Sequence, residues 1–294
     1  MTQGENCETC VKTSCPAKKA MPDENDQAYK ERQLLNQRLC RIQHKIIVLS
    51  GKGGVGKSSV AVNLAAALSI AGKKTGLMDI DVHGPSIPKL LNLNGSAIRV
   101  KDNVIYPVAY DTNLKIMSVG LLINDPDQAV IWRGPMKHGI IKQFIRDVDW
   151  GDLDYLVIDS PPGTGDEPLS IAQLIPNADG ALIVTTPQEV AIDDVRRSIK
   201  FCEKVDLNIL GIIENMSGFV CPHCHEVTEV FASGGGEKLA KETGVPFLGR
   251  IPLDPNMVIS GDQGTPFVSR FKDSKTAEAF QKIVEPLLHL PVIS

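Results

Sequence analysis

Apolar residues along this chain fall into two rhythms, and their alternation predicts an architecture. Short continuous runs of strand length stand at 46–49, 75–78, 155–158, 181–184, 209–213 and 247–249. Runs this short with no polar interruption suit strands covered on both faces. Between them apolar residues recur at helical spacing. Val60, Leu64, Leu68 and Ala71 precede Gly72, another stretch covers 193–205, and a last one covers 273–288 with Ala277, Phe280, Val284 and Leu287 on one stripe. Helices are also expected over 27–43, with Leu34, Leu35, Leu39 and Ile42 apolar, and from Trp132-Arg133-Gly134-Pro135-Met136 to about Arg146. Residues 94–130 read as irregular strands and turns, with 104–108 and 114–118 as strand candidates. The whole predicts an α/β fold, a doubly wound and mostly parallel sheet. Polar residues at the carboxyl ends of its strands should then line the site.

The first 44 residues differ from the rest. They are polar and carry cysteines, so they read as an N-terminal extension, with a second unit over 45–294. The chain has 294 residues, 43% hydrophobic and 22% charged, with a net charge of −4, and this balance gives no argument for nucleic acid or an anionic membrane as partner. No apolar run approaches the length of a membrane span. Seven cysteines without a secretory signal point to a reducing, cytoplasmic setting and to metal rather than disulfides.

The chemistry begins where the first strand ends. Gly51-Lys52-Gly53-Gly54-Val55-Gly56-Lys57-Ser58-Ser59 stands between an apolar run and a helix, the context a P-loop needs. Its glycines let backbone N–H groups turn toward phosphate oxygens, and the helix N-terminus adds partial positive charge. Lys57 is expected at the β- and γ-phosphates of ATP, and the Ser58 hydroxyl on Mg²⁺. Asp79 and Asp81, two apart where the second strand turns out, can both face the phosphates. Asp159 ends another buried strand and suits the Mg²⁺-holding position, followed by a stiff, then permissive, Pro161-Pro162-Gly163-Thr164-Gly165 turn.

Cysteines supply a second chemistry. Cys221-Pro222-His223-Cys224 offers two thiolates, whereas a tetrahedral ion or a cluster wants four. Two copies about a two-fold axis would make up the number. Zinc competes with an iron–sulfur cluster for such a set, with His223 and His225 adjacent. Cys7, Cys10 and Cys15 form another compact group, able to converge on a second cluster or an ion. Cys40 and Cys202 fall on expected helices, where Cys40 reads as a small buried hydrophobe.

Lys52 and the 150–166 segment carry a resemblance. The loop resembles the deviant Walker A family, which includes MinD, the ParA partition proteins, the nitrogenase iron protein and the Mrp/ApbC-like iron–sulfur carriers. Trp150-Gly151-Asp152-Leu153-Asp154-Tyr155-Leu156-Val157-Ile158-Asp159-Ser160-Pro161-Pro162-Gly163-Thr164-Gly165-Asp166 is similar to the Mrp/ApbC, or Nbp-type, subfamily. No Cys stands between Asp159 and Ser170, unlike the nitrogenase iron protein. The resemblance implies that Lys52 reaches the nucleotide of a partner subunit, so a homodimer closes around two ATP molecules. It further implies that Asp81 orients the attacking water, that Asn215 reads adenine, and that the loop at Pro252 packs on the base. Cys221 and Cys224 would bridge the dimer with a labile 4Fe–4S cluster. The function so implied is an ATP-dependent iron–sulfur scaffold or carrier that hydrolyses ATP slowly and delivers clusters to apo iron–sulfur proteins. The eukaryotic relatives carry four N-terminal cysteines where this chain has three. A MinD/ParA-like positioning ATPase without a cluster, and a zinc-clasped regulatory ATPase, are the alternatives. Neither a basic amphipathic tail nor a DNA-binding patch is found for the positioning role.

Overall fold

A computed structural model describes residues 25–102, 104–122, 134–175, 177–221 and 226–292. Cys7, Cys10, Cys15, Arg133, His223, Cys224 and His225 lie outside the described residues. In chain order the elements are α1 (Asp26–Leu39), β1 (Ile42–Leu49), α2 (Lys57–Ile70), β2 (Thr75–Asp79), α3 (Ile87–Leu90), β3 (Arg99–Lys101), β4 (Val104–Tyr106), β5 (Val108–Ala109) and β6 (Leu114–Ser118). Next come α4 (Gly134–Asp147), β7 (Leu153–Asp159), α5 (Asp166–Leu174), β8 (Gly180–Thr185), α6 (Glu189–Lys204), β9 (Ile209–Glu214), β10 (Phe219–Val220) and β11 (Val227–Thr228). The last are α7 (Gly235–Thr243), β12 (Phe247–Arg250), α8 (Pro255–Asp262), α9 (Phe267–Arg270) and α10 (Lys275–Leu288).

Eight strands form the main sheet in the order β12-β9-β8-β1-β7-β2-β6-β5. Its pairings are parallel except β5 on β6. β1 is central, and its alternate side chains serve opposite faces. Ile46 and Val48 pack with Val60, Leu64 and Leu68 of α2 and Phe280 and Val284 of α10. Ile47 and Leu49 pack on the other face with Leu35, Phe144, Ile171 and Cys202. Both faces are therefore covered, as the uninterrupted apolar runs require.

Three local departures have plain causes. The helix expected over 27–43 stops at Leu39, because Ile42 and His44 join β1 and pair with Leu153 and Tyr155. A division of the chain at residue 44 thus falls inside β1. The strand expected over 104–108 is split at Pro107, which has no N–H for a ladder. Its two halves pair with different partners, β4 with β3 and β5 with β6. The last helix starts two residues late, at Lys275, where the Ser274 hydroxyl accepts the Ala277 N–H at 3.1 Å. Cys40 is exposed at the end of α1 rather than buried, and Cys202 is buried in α6. Burial pushes the Cys202 thiol up to about 12, which keeps it protonated.

Candidate nucleotide site and cysteine hairpin

Five strands of the sheet end on the same edge, and each delivers a polar residue there. β1 runs into Ser50 and the glycine loop, β2 and β7 end in Asp79 and Asp159, β8 leads to Thr186, and β9 leads to Asn215. Gly54 and Gly56 have φ of 80° and 81°, a region that L side chains rarely adopt. Gly56 is the N-cap of α2, and a Cβ there would collide with the Asn215 amide. A Cβ at Gly51 would sit 2.5 Å from the Asp194 backbone oxygen of α6. By contrast a Cβ at Gly53 would meet nothing within 4 Å. The loop is therefore clamped at both ends and open in the middle.

Lys57 is buried, and its ammonium pairs with Oδ1 of the fully buried Asp159. Oδ2 of Asp159 is buried with no hydrogen-bond partner. Asp79 lies directly beside Asp159 across the β2–β7 ladder. Its Oδ2 accepts the Ser118 hydroxyl at 2.7 Å and its Oδ1 the Asp81 N–H at 3.1 Å. Burial, then the neighbouring Asp159 charge, raise the Asp79 carboxyl to about 7. Burial also raises Asp159, against the opposing pull of Lys57. An orphaned, desolvated carboxylate oxygen beside the Ser58 hydroxyl is a donor set that suits a hard divalent cation. Asp81 sits at the rim, where its Oδ1 accepts the His83 and Gly84 N–H groups at 3.1 and 3.3 Å. His83 in turn meets Glu167 of α5 at 3.3 Å, linking the loop after β2 to the one after β7. The latter is tied to the P-loop strand by Gly163 N–H to Ser50 O at 2.7 Å.

Two cavities meet over this edge. One of about 260 Å³ is lined by Lys52, Gly53, Gly54, Lys57, Ser58, Asp81 and Pro162. The other, about 300 Å³, is lined by Asn215, Met216, Pro252, Leu253, Met257 and Val258. Gly56, Ser59, Ser86 and Leu90 border both. A polar half and a more apolar half joined in line match the phosphate and base ends of a nucleotide. Val55 is buried beneath, and the Asn215 amide donates to its carbonyl at 2.9 Å. The Lys52 ammonium has no ion-pair partner among the described residues and lies on the wall of the phosphate half.

The cysteine motif stands on a separate excursion. β10 and β11 form an antiparallel hairpin, and Cys221 opens its connecting loop, with its N–H donating to Glu226 O at 3.0 Å. Cys221 is half-buried. Among the described residues no three His, Cys, Asp or Glu side chains gather as a metal-holding group.

Sequence reasoning missed several of these participants. Met257, Val258 and Leu90 wall the second cavity, and nothing in the local sequence pattern marks them. Glu214 was passed over as a strand-end residue, yet it is fully buried. No described helix is long and apolar enough to cross a membrane.

Known proteins share this arrangement. The "Iron-sulfur cluster carrier protein" of Methanocaldococcus jannaschii is 50% identical over 275 residues, covering 94% of each chain. Human "Cytosolic Fe-S cluster assembly factor NUBP2" is 51% identical over 254 residues, 85% of this chain and 94% of that one. Among solved structures, a nucleotide-binding protein in complex with ADP from Archaeoglobus fulgidus superposes with a TM-score of 0.73 at 38% identity, covering 85% of this chain and 96% of that one. The Pyrococcus furiosus cell division ATPase MinD gives 0.62 at 25%, covering 85% and 100%. The sheet, the loop and its flanks are those of MinD/ParA-like P-loop NTPases. The family model described as NUBPL iron-transfer P-loop NTPase matches residues 41–288, and the chain belongs to that family.

Proposed function

We propose that this protein is a homodimeric, ATP-dependent carrier of a 4Fe–4S cluster, which it holds across the dimer and passes to apo iron–sulfur proteins. The observation that carries the reading is the hairpin: it lifts Cys221 out on its own excursion from a chain that also has a complete phosphate loop. Relatives named as iron–sulfur carrier and assembly factor, at about half identity over nearly the whole chain, support it. The cluster is cargo. Cys221 and Cys224 supply two thiolates per chain, so two chains supply the four that a cubane takes.

The nucleotide end works through this chain's own groups. Gly51 to Ser59 cradle the phosphates with backbone N–H groups, and Lys57 neutralises them by turning from Asp159. Ser58 and Asp159 are the residues that would hold Mg²⁺, and the ion would supply further charge neutralisation at the phosphates. Lys52 reaches the partner's nucleotide. Asn215 and Pro252 seat the base. Asp81 orients the attacking water, and because the same carboxylate shapes its loop, hydrolysis resets that loop. Turnover is slow, as suits a switch. The protein acts in the cytoplasm. Cys7, Cys10 and Cys15 would supply three thiolates to a second cluster or an ion, with the fourth ligand left to another group.

The test is anaerobic reconstitution of protein lacking residues 1–24, with iron, sulfide and zinc measured. One cluster per two chains, lost in Cys221→Ser, is the expected result. Tight zinc with no iron or sulfide would instead make the four sulfurs a structural clasp.

A further inference from the structure

Glu214 has no part in the chemistry so far, yet its carboxylate is fully buried and accepts three hydrogen bonds. It ends β9, immediately before Asn215. Its Oε1 accepts the Ser217 hydroxyl at 2.5 Å and the Gly234 N–H at 2.9 Å, and its Oε2 accepts the Gly236 N–H at 2.6 Å. The Arg250 Nε stands 3.5 Å from Oε1, and Arg250 also reaches Glu237 of α7 at 2.5 Å. Residues 217 and 234 are the two ends of the excursion that bears the hairpin, so one buried carboxylate gathers both. The glycines at 234 and 236 suit this clamp, while a Cβ at Gly235 would meet the Pro187 carbonyl. Gly234 has φ of 82°, and a Cβ at Gly236 would lie 3.1 Å from Glu214 Oε2. The charge also faces the N-terminus of α7, where an anion is favoured.

The same root is laced to the wall of the base cavity. Ser217 N–H donates to Ile251 O at 3.0 Å, and Leu253 N–H donates to Gly218 O at 2.8 Å, one on each side of Pro252. Phe219 of β10 bridges to Leu253. Asn215, Pro252 and Leu253 line the cavity, while residues 217–219 begin the strand that ends at Cys221.

We infer that Glu214 is a positioning residue that holds the cysteine hairpin in register with the base cavity, so that occupancy by an adenine nucleotide orders the hairpin whether or not a γ-phosphate is present. The contacts involved lie at the base end, away from Asp81 and the Pro-Pro-Gly turn. ADP therefore orders the hairpin as ATP does, and hydrolysis by itself does not release it. This deepens the carrier reading and rests on it for the hairpin's purpose, but its test needs no cluster.

The test is amide hydrogen exchange, read by mass spectrometry on the cluster-free full chain with and without saturating MgADP, after ADP affinity has been measured for each variant. In wild type, ADP is expected to slow exchange in 219–221 and 226–228 roughly fivefold, alongside the P-loop. In Glu214→Gln at saturating ADP, P-loop protection should remain while the hairpin's response falls below about twofold. A merely structural role would speed exchange in the hairpin and α7 with or without ADP and leave the fivefold ratio intact. That ratio surviving in the variant, or no hairpin response in wild type, overturns the inference. Should Glu214→Gln fail to fold, Ser217→Ala decides, since it removes one contact of the clamp and should reduce the ratio in the same direction; an unchanged ratio there rejects the assignment. Loss of iron binding in Cys221→Ser is decided separately, so the two readings can fail independently.

Discussion

Lys57 and Asp159 form a buried ion pair in which only one carboxylate oxygen is satisfied. The pair holds the P-loop lysine against the floor of the candidate site. Lys57→Ala should abolish nucleotide binding. It also strands a buried carboxylate, at a cost of about 3 kcal/mol when that group is charged. Asp159 can escape by taking a proton. An acid whose folded pKa lies above its unfolded value loses stability as pH rises. The variant's deficit against wild type should therefore be smaller at pH 5.5 than at pH 8, read by urea denaturation in EDTA. A deficit that is the same at both would place Asp159 in a better-solvated setting than the structure gives it.

Asp79 makes a related case in the metal-free protein. Its folded carboxyl titrates at about 7 against 3.8 for the ordinary group, so the folded chain holds a proton that the unfolded chain releases. Stability from this residue falls as pH rises from about 4 to 7 and then levels off. Asp79→Asn should flatten that fall and stabilise the metal-free protein above pH 7. Equal slopes in the two proteins would contradict the burial-driven shift.

The glycines of the loop divide by what surrounds them. Gly56→Ala forces a side chain into the Asn215 amide at a left-handed φ, and should cost about 1–3 kcal/mol along with nucleotide affinity. Gly53→Ala meets open space and should leave the thermal midpoint within a degree or two. Melting curves of the two variants, with and without ADP, check the contrast.

Lys52→Ala should keep ATP binding but slow hydrolysis. Mixed dimers distinguish own-site from partner-site action. When a Lys52→Ala subunit pairs with a Lys57→Ala subunit, partner-site action leaves one site with both lysines, so turnover returns to about half of wild type. Turnover no higher than in either parent homodimer means Lys52 serves its own nucleotide.

Much of this was written in the sequence, and the reasons differ by residue. The loop was legible because strand, glycines and helix are contiguous, and Asp159 because an uninterrupted apolar run announces a buried strand whose last residue meets the site. Asn215 could be placed at an edge, but not beside the Val55 carbonyl, 160 positions away. Glu214 was invisible, since a glutamate at a strand end ordinarily faces water. The helix ending at Leu39 was overread because helical spacing continues to Ile42, while sheet pairing with Leu153 decides otherwise.

The position of β1 has a consequence for how the protein is made. The strand that feeds the phosphate loop leaves the ribosome before its two neighbours, β7 and β8, which are more than a hundred residues downstream. Closing such long intervals is slow compared with local structure. A nascent chain that has exposed only residues up to 150 has the glycine loop but no Asp159, no Asn215 and no bed for β1 to lie in. Nucleotide capture then waits for the synthesis of β7, β8 and β9, and the apolar β1 stays without its neighbours in the interval.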